Sequence, residues 1–120
     1  MLIRSQDKTV IVNIDNAFNI AIRDINGATA IYIGTQGSCC NMAEYSTKAK
    51  AMKVLDMIQE AYADFESAKI TSTGLATAAY TGSYDTPESV AHGIKVLQSY
   101  AEMIRESMTF QMPADSEVEV

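Results

Sequence analysis

Asn26-Gly27 is the feature that most constrains how this chain can fold. Apolar alternation runs on both sides of it, with "AFNIAIRDI" before and "ATAIYIG" after. A dipeptide of this kind between two alternating runs favours a type I′ hairpin, because both central residues need positive φ. Upstream, "TVIVNI" alternates as well, with Val10, Val12 and Ile14 on one side and Thr9, Ile11 and Asn13 on the other. Phe18, Ile20 and Ile22 share a face of the following run. Downstream, a second turn around Gln36-Gly37-Ser38 leads into "CCNMAEY". Residues 2–45 therefore predict an antiparallel β-meander of four to five strands.

Two helices are expected to pack on that sheet, which makes the fold class α+β. The first begins near Ser46-Thr47, where either hydroxyl can cap it. It runs over about 47–66, with Ala51, Val54, Leu55, Ile58, Ala61, Tyr62 and Phe65 on one broad face. Lys50, Lys53, Asp56, Glu60 and Asp64 lie largely off it. The second helix covers about 87–107, capped by Asp85 or Thr86 and opened by Pro87 at its first position. Val90, Ile94, Leu97, Ala101, Ile104 and Met108 follow one another at alternating steps of four and three, a heptad-like seam. Gly93, Val96, Tyr100 and Met103 widen that seam to an arc of about 180°. One core face does not need so much, so the helix is expected to meet two partners, one of them another subunit. Gly93 costs about 1 kcal/mol against alanine in a helix interior. Close approach of another helix would account for it, and a tolerated surface glycine is the alternative.

Between the helices, residues 67–85 are mostly Ser, Thr, Ala, Gly and Tyr and read as a long loop with room for one short strand. "MTFQMP" predicts a short strand over 108–112, ended by Pro113, and 113–120 reads as an acidic flexible tail. The expected organisation is one domain over 1–112 followed by that tail. With 120 residues, a single modest core is the expectation, and it needs no disulfide.

A formal net charge of −6 argues against duplex nucleic acid as the main partner, since phosphate binding requires a basic stripe. The basic cluster Lys48, Lys50 and Lys53 reads as a solvated helix face, with Lys48 in reach of Glu44. No apolar run is long enough to span a membrane, and "MLIRSQDK" is too polar for a signal peptide. A cytoplasmic location is the expectation.

Catalytic signatures are sparse. Cys39 and Cys40 are adjacent, so a strand points them to opposite faces, and no second cysteine pair exists to complete a zinc site. His92 is the only histidine and sits at the polar edge of the second helix, with no nucleophile motif elsewhere. There is no P-loop and no dinucleotide-binding glycine pattern. A protein without enzymatic activity, cofactor or metal is expected. The loop-to-helix junction "TGSYDTPE" is the best ligand-site candidate, because a helix N-terminus offers free N–H groups to an anion. Tyr80 and Tyr84 could stack on a base, Ser83 could donate, and His92 and Arg105 could meet phosphate.

"LIRSQDK" with "VNIDN", then "EYSTKAKAMKVLDMIQEAY", then "FQMPADSEVEV", resembles a group of small proteins encoded by phages and prophages of Gram-positive bacteria. The likeness covers about the first 66 residues and the last ten. The sheet-then-two-helix plan is also similar in architecture to the Thoeris anti-defence sponge proteins. The resemblance implies a phage-encoded anti-defence protein acting in the infected host cytoplasm. It would be a homo-oligomer that binds and sequesters a small nucleotide-derived immune signal. The alternative is a phage protein that inhibits or scaffolds by protein–protein binding through the second helix.

Overall fold

The structure, a computed structural model, describes residues 1–81 and 86–120, and for 75–81 the backbone alone. Its strands are β1 (Leu2–Arg4), β2 (Ile11–Asn13), β3 (Ala17–Ile25), β4 (Ala28–Thr35), β5 (Ser38–Tyr45) and β6 (Thr109–Gln111). Its helices are α1 (Lys48–Thr81) and α2 (Pro87–Ser107). The fold is α+β, with three antiparallel strands forming the meander β3-β4-β5.

The hairpin at Asn26-Gly27 forms as its chemistry requires, with φ of 52° and 83° and Ile25 paired to Ala28. Gly37, at φ 81°, makes the second turn. Strand β5 buries two successive residues, Met42 and Ala43, which plain alternation forbids. A bulge explains it: Ile31 faces Ala43 while Tyr32 faces Asn41, so Met42 is the extra residue.

The meander is shorter than the four to five strands expected. Residues 11–13 instead join a second sheet in the order β2-β1-β6, where β1 runs antiparallel to β2 and parallel to β6. In a strand of three residues only the middle one lies under its neighbours. Val12 is accordingly buried, while Val10 and Ile11 are exposed.

The core sits between the two sheets and the first half of α1. Ile3, Ile31, Ile33, Met42, Tyr45 and Val54 are its largest fully enclosed side chains, joined by Ala51, Ile58 and Phe65. The Thr47 hydroxyl caps α1 by accepting from the Lys50 N–H at 3.2 Å. Ser46 is engaged elsewhere: its N–H and hydroxyl both donate to the Asp115 carboxylate, at 2.7 and 3.0 Å. Lys50 reaches the same carboxylate at 3.2 Å. Met112 and Val118 are buried, and Asp115–Glu117 forms a turn of 3-10 helix. Residues 113–118 are thus fastened to the head and are not a loose tail.

The largest correction concerns 67–85. Through residue 81 this segment is helix, so α1 extends well past the expected end at 66. The low-propensity residues are accommodated locally. The hydroxyls of Ser72 and Thr73 both donate to the Lys69 carbonyl, at 3.1 and 2.8 Å, so neither competes for free backbone groups. The segment is also supported laterally by α2. Thr86 caps that helix in a reciprocal box with Ser89, and Pro87 follows as expected. Gly93 is the one α2 residue buried among those described, in accord with a close helix approach.

At 1.5 Å per residue, α1 is about 51 Å long. The molecule measures 66 × 33 × 21 Å, with a radius of gyration of 18.8 Å. A compact chain of this length would have about 14 Å. The α1–α2 hairpin therefore projects from a small head.

Candidate interaction surface

Of the five residues expected to build a ligand site, Ser83 and Tyr84 lie outside the described residues. Tyr80 is in the last turn of α1 by its backbone, and its side chain lies outside them too. His92 and Arg105 are both exposed on α2. They are thirteen positions apart on one straight element, which separates them by about 20 Å along the axis and about 140° around it. The structure does not bring these two together. Arg105 instead borders a shallow depression of about 370 Å³ with Gln98, Ala101 and Glu102.

Polar clusters of the head are internally satisfied. A cleft of about 410 Å³ is lined by Gln6, Asp7, Asn41, Met42, Ala43 and Glu44. Many of its donors and acceptors are already engaged in holding the fold. The Gln6 amide donates to the Glu44 and Pro113 carbonyls and accepts from the Glu44 N–H. Asn41 donates to the Glu44 carboxylate. Asp7 accepts from the Ser5 and Thr9 hydroxyls and the Thr9 N–H, which lowers its carboxyl to about 2. Asp115 is likewise held below the usual carboxylate range, first by the Ser46 N–H, then by the Ser46 hydroxyl and Lys50. Burial raises the Tyr45 phenol, reinforced by the Asp115 and Glu117 charges, and its hydroxyl donates to the Pro113 carbonyl at 2.9 Å. These bonds fasten residues 113–118 to the sheet and to α1.

Both cysteines are free, Cys39 exposed and Cys40 half-buried against the core, as strand residues pointing to opposite faces should be. Among the described residues, no group of three His, Cys, Asp or Glu side chains could hold a metal ion. No helix among them is long and apolar enough to cross a membrane.

The conspicuous surface is on α2. Ser89, Gly93, Val96, Tyr100, Ile104 and Ser107 are its half-buried or buried residues. At 100° per residue they share one row, and that row faces α1. The seam Val90, Ile94, Leu97, Ala101, Ile104 and Met108 is rotated by about 90° from it. Only Ile104 belongs to both rows. Val90, Ile94, Leu97 and Met108 remain 43, 52, 42 and 40% exposed. On α1, Ile70 is 73% exposed on the side away from the core. A groove of about 230 Å³ runs between the helices, lined by Ser72, Thr73, Leu97, Tyr100, Ala101 and Ile104. The sequence pattern revealed the seam and the wide arc around it but not which part of the arc faces α1, and Met103, counted in that arc, is exposed.

Compared with family models, curated proteins and solved structures, the chain matches none of them.

Proposed function

We propose that this chain is a non-enzymatic binding protein that acts through its helical hairpin, with the head serving as the anchor that holds both legs. One observation carries this reading. An apolar row of Val90, Ile94, Leu97, Ala101 and Met108 lies exposed along about 27 Å of α2, although the same helix already packs on α1 through a different row. Continuous exposed apolar surface of this kind marks a protein contact. The amphipathic repeat suits a helical partner laid alongside.

Sequestration of a nucleotide signal asks for stacking and phosphate-binding groups that converge. His92 and Arg105 are set apart on α2, which is why protein binding is the preferred reading. The resemblance to phage proteins is compatible with a component that inhibits or scaffolds through such a contact.

The test is a photo-crosslinking amino acid placed at position 97, on the outer row, and at position 99, on the opposite side of α2. Covalent protein adducts in bacterial cells are expected at 97 and not at 99. Equal adducts at both, or none at either, would overturn the proposal.

A further inference from the structure

We infer that β3 pairs along its free edge with β3 of a second copy of this chain, antiparallel about a two-fold axis at Ala21, so that two three-stranded meanders become one continuous sheet. This surface belongs to the head and is independent of the helical-hairpin reading.

The meander has two edges, and the fold treats them differently. On β5 the Met42 carbonyl accepts from the Gln6 N–H at 2.8 Å, and the Glu44 N–H and carbonyl are both taken by the Gln6 side chain. On β3 no residue plays that part. The two-residue turn makes Ile25 and Ala28 a hydrogen-bonded pair, so Arg23 and Ala21 also direct their backbone groups to β4. Ile20, Ile22 and Asp24 direct theirs away from the sheet, and among the described residues nothing bonds to them. An extended strand is the occupant that matches donors and acceptors at this spacing.

Exposed edges are ordinarily shielded by charged side chains that stand out from them. Here the charges turn inward. The Asp24 carboxylate accepts from the Thr29 hydroxyl at 3.0 Å, and the Arg23 guanidinium lies over the Tyr32 ring, 5.4 Å from its centre. Thr29 and Tyr32 both belong to β4, and Asn19 lies over Gly34 of the same strand. The edge is thus open from Asn19 to Asp24, and the bulge at Phe18 ends the regular stretch.

The side chains of that stretch complement themselves. Reversal about Ala21 sets Ile20 opposite Ile22 of the copy, Ile22 opposite Ile20, and Arg23 opposite the neutral Asn19. Ile20 and Ile22 are half-buried at the rim of the core, so each is covered by its counterpart from the copy. Both pairs are of the hydrogen-bonded kind and together supply about four main-chain bonds. Ala21 meets itself at a non-hydrogen-bonded site, where Cα atoms approach to about 4.5 Å and a methyl group fits. Reversal about Ile22 would instead set Asp24 opposite Ile20 and bring the two Arg23 side chains diagonally together, and reversal about Ile20 would carry the bulge into the pairing.

A pairing of this size should give a dimer with a Kd of about 10–100 μM by light scattering. In residue-resolved amide exchange, Ala21 and Arg23 should be protected at every concentration, and Ile20 and Ile22 only where the dimer forms. In the full chain carrying C39S and C40A, A21C should link to itself under mild oxidation. N19C and R23C should each stay unlinked, because the reversal leaves each about 14 Å from its copy, while a mixture of the two should link. A21K and A21E should each weaken the dimer about fivefold by opposing like charges, and an equimolar mixture should restore it. A chain that stays monomeric, or whose Ile20 and Ile22 amides exchange freely throughout, overturns the pairing and leaves the helical-hairpin reading untouched. Protection of these amides that appears only when other proteins are added assigns the edge to a strand of theirs and overturns the second copy. A dimer in which N19C or R23C self-links, or in which mixed A21K and A21E stay apart, overturns the register.

Discussion

The head and the outer half of the hairpin dispose of apolar side chains in opposite ways. In the head, Ile3, Ile31, Ile33, Met42 and Val54 are enclosed, and backbone and side-chain polar groups are paired around them. Beyond Phe65, α1 buries only Ser72 among its described side chains, and α2 buries only Gly93. The two helices meet along the row of Ser89, Gly93, Val96, Tyr100, Ile104 and Ser107, of which only Gly93 is fully buried, so the contact removes less apolar area from water than the head does. Val90, Ile94, Leu97 and Met108 stay exposed. The head gains its stability from what it encloses, and the hairpin leaves an apolar row uncovered.

That contrast can be broken or sharpened experimentally. The largest effect should come from the head. Ile31→Ala removes a fully enclosed side chain and should cost about 2–5 kcal/mol in urea unfolding. Ile94→Ala, read in the same way, should stay within about 1 kcal/mol of the parent, since no core is lost. Equal costs would show that the outer row is enclosed even in a single chain, and the distinction between the regions would collapse.

Next comes the cap. Thr86→Ala removes the side-chain partner of the Ser89 N–H and should cost about 1 kcal/mol. Hydrogen exchange should localise that loss to the first turns of α2, with β4 unaffected. If β4 amides accelerate in step, the hairpin and head unfold as one unit.

Acid gives the smallest and most local effect. Asp115 and Asp7 both have carboxyls held below their ordinary value, Asp7 at about 2. A depressed carboxyl stabilises the folded state above its unfolded value of about 3.9 and loses that contribution as pH falls through its folded value. As pH falls below about 4, amides near Met112 and Val118 should therefore lose protection before those of α2. Asp115→Asn should make that region less sensitive to acid at the expense of weaker protection at neutral pH. The reverse order of loss would place the acid-sensitive element in the hairpin.

Much of the head was legible from residues alone, because its signals are local. Asn26-Gly27 dictates a turn type, and alternation on either side dictates strands, so β3, β4 and β5 emerge with their boundaries nearly intact. The pairing of β1 with β6 spans almost the whole chain and leaves no local mark. Asp115 reads as part of an acidic tail until Ser46 and Lys50 are seen beside it. The end of α1 was misread for a related reason. Ser, Thr and Gly argue for a loop on intrinsic preference, and nothing local to the segment announces that α2 runs beside it. On α2 the seam and Gly93 were both readable, and the over-wide arc turns out to hold one row against α1 and one row that is exposed. Of the ligand site expected from Tyr80, Ser83, Tyr84, His92 and Arg105, the first four were chosen at or near one junction and Arg105 from farther along the helix, and within one chain helical geometry carries His92 and Arg105 to different faces.

The parallel pairing of β1 with β6 has an architectural consequence. The chain leaves the head beyond Phe65 of α1 and re-enters it at Thr109, where β6 is fastened beside β1. What lies between is an excursion with both feet anchored. Removing matched stretches of seven residues from the two legs near the tip would shorten its reach by about 10 Å each time. The helix phase would be kept almost unchanged, and the feet would stay in place. Reach is therefore an adjustable dimension of this protein, set by a ruler that can be cut or extended without rewriting the part that folds.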